Sequence, residues 1–164
     1  MCKMSTNPLL KKLEVLAPLI GNTPLLKLPY RNNILYAKLE SFNSWRSAKD
    51  RPAFNIIREA IKNGKITPAS TIIESSSGNF AISIGGICKF LGLKFIAVVD
   101  PNINPLNENL LKLICHDIIK VDKRDHTGGF LLTRLERVNE LCHQIPDSFW
   151  PNQYGNVNNP MAYF

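Results

Sequence analysis

The sequence contains no GxGxxG, and no glycine-rich loop is followed by a lysine at phosphate-loop spacing, so the usual nucleotide fingerprints are missing. Its four cysteines, Cys2, Cys88, Cys115 and Cys142, form no CxxC pair. The three histidines, His116, His126 and His143, share no helical face with a ligand partner, so no metal site is expected. The amino terminus, Met1-Cys2-Lys3-Met4-Ser5, has no apolar signal core, and no apolar stretch is long enough to span a bilayer. A reducing cytoplasm is therefore the expected compartment, with free thiols buried in apolar segments. No internal repeat, low-complexity tract or linker is visible. The formal charge of +7 is spread along the chain, with no basic run interleaved with aromatics. Neither nucleic acid nor membrane is an expected partner, whereas anionic small molecules are drawn equally well by such a charge.

What is present is ordinary for a folded protein: 164 residues, 45% hydrophobic and 20% charged, enough for one domain or one plus a fragment of a second. Lys3 to Ile20 turns from polar to amphipathic and reads as one short helix. Leu25-Leu26-Lys27-Leu28 and Ile34 to Leu39 read as strands around a turn at Arg31-Asn32-Asn33. From Ser47 onward strand and helix alternate. A helix over Lys49 to Asn63 is stopped by Gly64, and Thr71-Ile72-Ile73 is a β-branched strand. An almost wholly apolar helix follows over Asn79 to Leu91, then a buried strand over Phe95 to Val99. Pro105 opens a helix running to Ile114, Ile118 to Val121 is a strand, and Gly128 to His143 is a further helix. The tail Phe149 to Asn156 has amides and aromatics but no periodicity. The expected fold is α/β, an open, mostly parallel sheet with helices on both faces, and ligands gather where strands end and helices begin.

Two stretches carry chemistry at such junctions. Ser47-Ala48-Lys49-Asp50-Arg51 puts a lysine at a helix mouth, where the positive helix end disfavours the ammonium and makes a Schiff-base amine. The plainer alternative is a surface cluster in which Asp50 pairs with Lys49 or Arg51. Glu74-Ser75-Ser76-Ser77-Gly78-Asn79 gathers hydroxyls and free backbone N–H groups at a helix start, which suits an anion. Gly78 admits close approach, and Asn79 can grip an oxygen on a flat ring. A strand-to-helix turn with a serine cap explains the same residues. Arg134 can clamp a carboxylate or phosphate, or be a solvated helix residue. Tyr154 is either a ligand contact or packing.

Taken together, the two motifs resemble the cysteine synthase and cystathionine β-synthase family of pyridoxal-phosphate enzymes, of fold type II. Val98-Val99-Asp100-Pro101, Gly128 to Arg134 and Trp150-Pro151-Asn152-Gln153-Tyr154 resemble the branch that makes 2,3-diaminopropionate for siderophores. The resemblance runs from about Leu16 to the last residue. It implies pyridoxal 5'-phosphate as cofactor, with Lys49 both holding the cofactor's aldehyde and moving the substrate α-proton. Asn79 would bond the ring hydroxyl, and Ser75, Ser76, Ser77 and Gly78 would grip the substrate carboxylate. Arg134 and Tyr154 become candidates for a phosphate or a second carboxylate. The implied reaction is β-replacement on an O-activated serine, O-phosphoserine with glutamate or a cysteine-synthase-like pair.

The sequence departs from the family in two places. Asn43-Ser44-Trp45-Arg46-Ser47 stands where the family carries Asn-Pro-Gly-Gly-Ser, putting bulk beside the lysine. The family's glycine- and threonine-rich phosphate loop and its pyridine-nitrogen partner are not found in these residues. Residues 1–44 therefore read as a large-domain segment, 45–148 as the small α/β domain, and 149–164 as the return into a truncated large domain. Expected partners are amino-acid substrates and either a second copy or a complementing C-terminal half. The rival expectation is a non-catalytic remnant that binds an amino acid or a protein partner.

Overall fold

The computed structural model describes residues 7–31 and 33–164; Cys2, the Lys3 end of the first helix and the turn residue Asn32 lie outside them. Pro8–Glu14 forms α1, and a 3-10 turn at Ala17–Leu19 replaces any continuation as one helix. Pro18 cannot donate the backbone hydrogen bond that a longer helix needs. Leu25–Tyr30 (β1) and Asn33–Lys38 (β2) pair antiparallel from Leu25 opposite Lys38 to Tyr30 opposite Asn33, and form a separate two-stranded sheet.

The main sheet is wholly parallel. Thr71–Ser75 (β3), Lys94–Val99 (β4), Asp117–Lys120 (β5) and the short Ser148–Phe149 (β6) lie in the order β5-β4-β3-β6. Its helices are Asp50–Lys62 (α2), Asn79–Leu91 (α3), Pro105–Ile114 (α4) and Leu131–Gln144 (α5). Strand alternation sorts the core into two layers. Ile72, Phe95, Ala97 and Val99 join the cluster built by α1, α2, α3 and Leu111 of α4. Ile73, Ile96 and Val98 face Val138 and Leu141 of α5. Burial on both faces is why β4 reads as a near-continuous apolar run. The chain steps outward from β3 to β5 and returns through α5 to β6 on the other flank of β3. That reversal makes the C-terminal end of β3 the switch point of the sheet.

Local chemistry sets most boundaries. Gly64 and Gly92 take left-handed conformations (φ 69° and 83°) where α2 and α3 end. Asn104 caps α4, accepting from the Leu106 N–H at 2.8 Å, with Pro105 at the first position. The start of α5 differs from the sequence expectation. Asp125 accepts from the N–H groups of Thr127, Gly129 and Leu132, so Gly128-Gly129-Phe130 is held as a turn and the helix begins at Leu131.

Candidate active site

The lysine motif is organised by a carboxylate and an amide. Glu40 takes a two-point ion pair from Arg51 (Nε to Oε2 and Nη2 to Oε1, both 2.8 Å) and also accepts from Thr23 Oγ1 and Asn43 Nδ2. The Arg51 hydrogen bonds hold its carboxyl at about 2, well below the usual range. Asn43 then donates to the carbonyl of Ser47 at 3.0 Å, and Ser47 Oγ accepts from the Lys49 N–H at 3.0 Å. This network fastens the hairpin base and the lysine loop to α2.

Lys49 occupies the N-terminal cap of α2 and is exposed; among the described residues its ε-ammonium makes no ion pair or hydrogen bond. The surface Lys-Asp-Arg cluster does not form. Arg51 goes to Glu40, and Asp50 turns fully inward. Asp50 Oδ2 accepts from the Trp45 N–H at 2.6 Å, and Ser83 Oγ lies 2.5 Å from Asp50 Oδ1 and 2.9 Å from the carbonyl of Asn79. Burial raises the Asp50 carboxyl above its ordinary value, opposed by the Ser83 hydroxyl and the backbone N–H donors. Asp50, Ser83 and Asn79 thus link the first turn of α2 to the first turn of α3, setting Lys49 and the exposed Asn79 on neighbouring helix N-termini. Both helix ends add positive potential there.

The substituted pair beside the lysine has a defined arrangement. The Trp45 indole lies on Gly86 of α3, where an added Cβ would come within 1.9 Å of Nε1. Arg46 is exposed with φ 61°, a left-handed conformation that glycine adopts without strain.

In the serine loop the four positions are not equivalent. Ser75 is fully buried, and its Oγ is without a partner among the described residues. Ser76 is also buried, its Oγ accepting from the Ala81 N–H at 3.3 Å. Ser77 and Gly78 are half-buried, and nothing lies within 4 Å of where a Gly78 Cβ would be. The open side of the loop is therefore made by Ser77, Gly78 and Asn79. Arg134, near the start of α5, is 3.4 Å from Asp100 Oδ2, just past the end of β4, and its Nε is buried without a partner among the described residues. Tyr154 is exposed, next to Gln153.

Three further groups come to the site to which the sequence reading gave no role: Glu74, Ser83 and Gln153. Glu74 is fully buried; it accepts from the Ser75 N–H (2.8 Å), Trp150 Nε1 (3.3 Å) and the Gln153 N–H (3.3 Å). Burial pushes its carboxyl up to about 7 against those hydrogen bonds. Gln153 Nε2 donates to the Ser75 carbonyl at 3.3 Å. A charged residue in a buried strand and a lone serine in an apolar helix were the available signals for Glu74 and Ser83, and Gln153 had only its place in the Trp150–Tyr154 stretch.

Residues 16–164 match the sequence model of the family described as "Pyridoxal-phosphate dependent enzyme". The chain belongs to this family. It is 44% identical over 149 residues to the N-(2-amino-2-carboxyethyl)-L-glutamate synthase of Ralstonia nicotianae, covering 88% of this chain and 44% of that protein. The corresponding synthase of Cupriavidus metallidurans gives the same identity and coverage. The fold resembles a hydrogen sulfide-producing enzyme of Fusobacterium nucleatum (TM-score 0.81, 33% identity, 99% of this chain and 50% of that one). It also resembles the O-acetylserine dependent cystathionine β-synthase of Helicobacter pylori (TM-score 0.78, 31% identity, 98% and 50%). The chain spans about half the length of these proteins. The α/β parallel fold expected from the sequence is the one these fold type II enzymes share.

Membership implies pyridoxal 5'-phosphate as cofactor. The residues present suit its reactive end: an exposed, unpaired amine at Lys49, an exposed amide at Asn79, and a helix N-terminus opened by Gly78.

Proposed function

We propose that the chain carries the amino-acid-binding part of a β-replacement enzyme of amino-acid biosynthesis, acting on an O-activated serine. O-phosphoserine with glutamate, for a 2,3-diaminopropionate siderophore precursor, is the favoured pair because of the two synthase relatives. The observation that carries this reading is the Asp50–Ser83–Asn79 link, which ties the first turns of α2 and α3 together, with the Lys49 amine unpaired among the described residues. In this reading the cofactor, when bound, supplies the electron sink that makes the substrate α-proton acidic. Lys49 holds the aldehyde and moves that proton, and Asn79 orients the ring. Ser75, Ser76, Ser77 and Gly78 form the carboxylate loop, with its open side at Ser77 and Gly78. Arg134, paired with Asp100 at 3.4 Å, and the exposed Tyr154 are the candidates in this reading for the phosphate or the second carboxylate.

The domain division carried into this proposal is 1–44, 45–148 and 149–164. The hairpin supports the first boundary. Leu25, Leu26, Leu28, Tyr30, Ile34, Leu35 and Tyr36 are all exposed, although an isolated two-stranded hairpin is marginal in water. Apolar side chains on both hairpin faces call for a covering layer on each. A complementing C-terminal half supplies that better than a second hairpin, and the relatives' additional length supports the same reading. The proposed location is the cytoplasm, supported by free thiols at Cys88, Cys115 and Cys142; among the described residues no helix is long and apolar enough to cross a membrane.

The test is to mix the chain with pyridoxal phosphate, reduce with borohydride and map the adduct by mass spectrometry. One pyridoxyl mark at Lys49, lost in Lys49→Ala, is the expected result. Labelling scattered over surface lysines, or none, assigns the chain instead to the non-catalytic reading.

A further inference from the structure

Helix α4 also reaches the serine loop. Asn107, in its first turn, is half-buried, and its Nδ2 donates to the carbonyl of Ser77 at 3.2 Å, across 30 positions of chain. α4 is held firmly enough to act as a fixed post. Asn104 and Pro105 set its start. Asp100 ties down the loop before it, accepting from the Asn102 N–H at 2.9 Å and lying 3.4 Å from Arg134 Nη1. The body of α4 lies close on α3: a Cβ at Gly85 would come within 2.8 Å of Ile114 Cδ1, and Lys89 Nζ donates to the Leu113 carbonyl at 2.6 Å.

The Asn107 bond fixes one peptide unit. The Ser77–Gly78 peptide is trans, so its carbonyl and its N–H point in opposite directions. With the carbonyl drawn to α4, the Gly78 N–H is turned away from α4. That N–H has no acceptor among the described residues, and neither has the N–H of Asn79. Nothing lies within 4 Å of where a Gly78 Cβ would be, which leaves room for a ligand atom beside these donors. Free N–H groups at the positive end of α3 suit a carboxylate. The other anchors of the loop lie deeper: Gln153 holds the Ser75 carbonyl, and the Ser76 hydroxyl accepts from the Ala81 N–H. Among the described residues Asn107 is the one side chain bonded to the Ser77–Gly78 peptide on the open side.

We propose that Asn107 is a positioning residue: by holding the Ser77 carbonyl against α4 it presents the Gly78 N–H to an amino acid's carboxylate, and so sets the preference of the loop for amino acids over amines that lack one. The proposal rests on the reading that the serine loop receives a substrate carboxylate. Asn107 acts through the loop, without contact with the ligand. Gly78 gives the peptide unusual freedom to turn, and the Asn107 bond removes that freedom before the ligand arrives.

The experiment uses the whole chain with pyridoxal phosphate, as wild type, Asn107→Ala and Asn107→Asp. Binding of L-serine and of ethanolamine, which is serine without its carboxylate, is measured by calorimetry. The Gly78 amide resonance is followed by NMR as each is added. In wild type L-serine binds tighter than ethanolamine and shifts the Gly78 amide. In both variants L-serine binds about fivefold weaker, the worth of one net hydrogen bond. Their ethanolamine affinity is unchanged, and L-serine moves the Gly78 amide less. Asn107→Asp keeps the size of the side chain and puts a negative charge in the first turn of α4, where it is favoured, so this variant loses serine affinity while remaining as stable as wild type in urea. A serine-to-ethanolamine affinity ratio that stays at the wild-type value in both variants overturns the proposal, whatever their stability. Wild type that binds L-serine no tighter than ethanolamine overturns the carboxylate reading of the loop, and the role of Asn107 with it.

Discussion

Gly86→Ala tests how this chain accommodates a tryptophan beside its lysine. The new Cβ would sit 1.9 Å from Trp45 Nε1, 2.2 Å from Cε2 and 2.7 Å from Cδ1. Carbon contacts settle near about 3.5 Å, so the indole has to retreat by roughly 1.5 Å or leave the notch. It cannot slide freely, because the Trp45 N–H is held by Asp50 at 2.6 Å and Arg46 follows in a left-handed conformation. Overpacking of this kind costs about 1–3 kcal/mol. Alanine's better helix propensity returns at most about 1 kcal/mol inside α3. A net loss of about 1–2 kcal/mol is expected in urea denaturation. Trp45→Gly alone loses the packing of a half-buried indole, about 2 kcal/mol. With the indole gone, alanine at 86 has room, so the double variant should be no less stable than Trp45→Gly. The cycle then shows a coupling of about 1–2 kcal/mol between the two sites. A Gly86→Ala chain as stable as wild type, or strictly additive variants, would refute the notch.

Glu74 makes stability depend on pH in a direction opposite to that of a salt-bridged acid. Its folded pKa, about 7, lies above the ordinary 4.5, so the folded state holds the proton more tightly. Stability therefore falls as pH rises from about 4.5 through about 7, by about 3 kcal/mol at this site, and Glu74→Gln removes that slope in urea titrations. Glu40 acts in the acid range with the reverse sign: the stability it contributes is present above 4.5 and lost as pH falls through about 2. Its partner Arg51 makes Glu40→Gln the variant that flattens that range. Asp50→Ala strips the acceptor from the Trp45 N–H and Ser83 Oγ and should cost about 2–4 kcal/mol in the same denaturation assay. It should also reduce pyridoxyl labelling of Lys49. Asp50→Asn, which can accept from Trp45 and donate to Ser83, should lose less than half as much; equal losses would mean that the charge rather than the hydrogen bonds is what matters.

The sequence by itself determined the order of elements from β1 to α5, because apolar periodicity reports how each segment is buried and glycine and proline mark where it ends; the short β6 lay in a tail without periodicity. The β-branched start of β3, the continuous run of β4, the stop at Gly64 and the proline at the head of α4 were all legible locally. The positions of Lys49 and Asn79 at helix mouths were legible for the same reason. Asp125's capture of three N–H groups was not, and α5 accordingly starts later than its periodicity suggests. Only the tertiary structure decided which polar groups meet. Asp50 finds Ser83 across 33 positions and Glu74 finds Trp150 across 76, because α2 packs on α3 and the chain returns to β6 beside β3. Periodicity carries no information about such pairs. A buried carboxylate must find donors somewhere, but which donors reach it is set by the strand order and by which helices pack together.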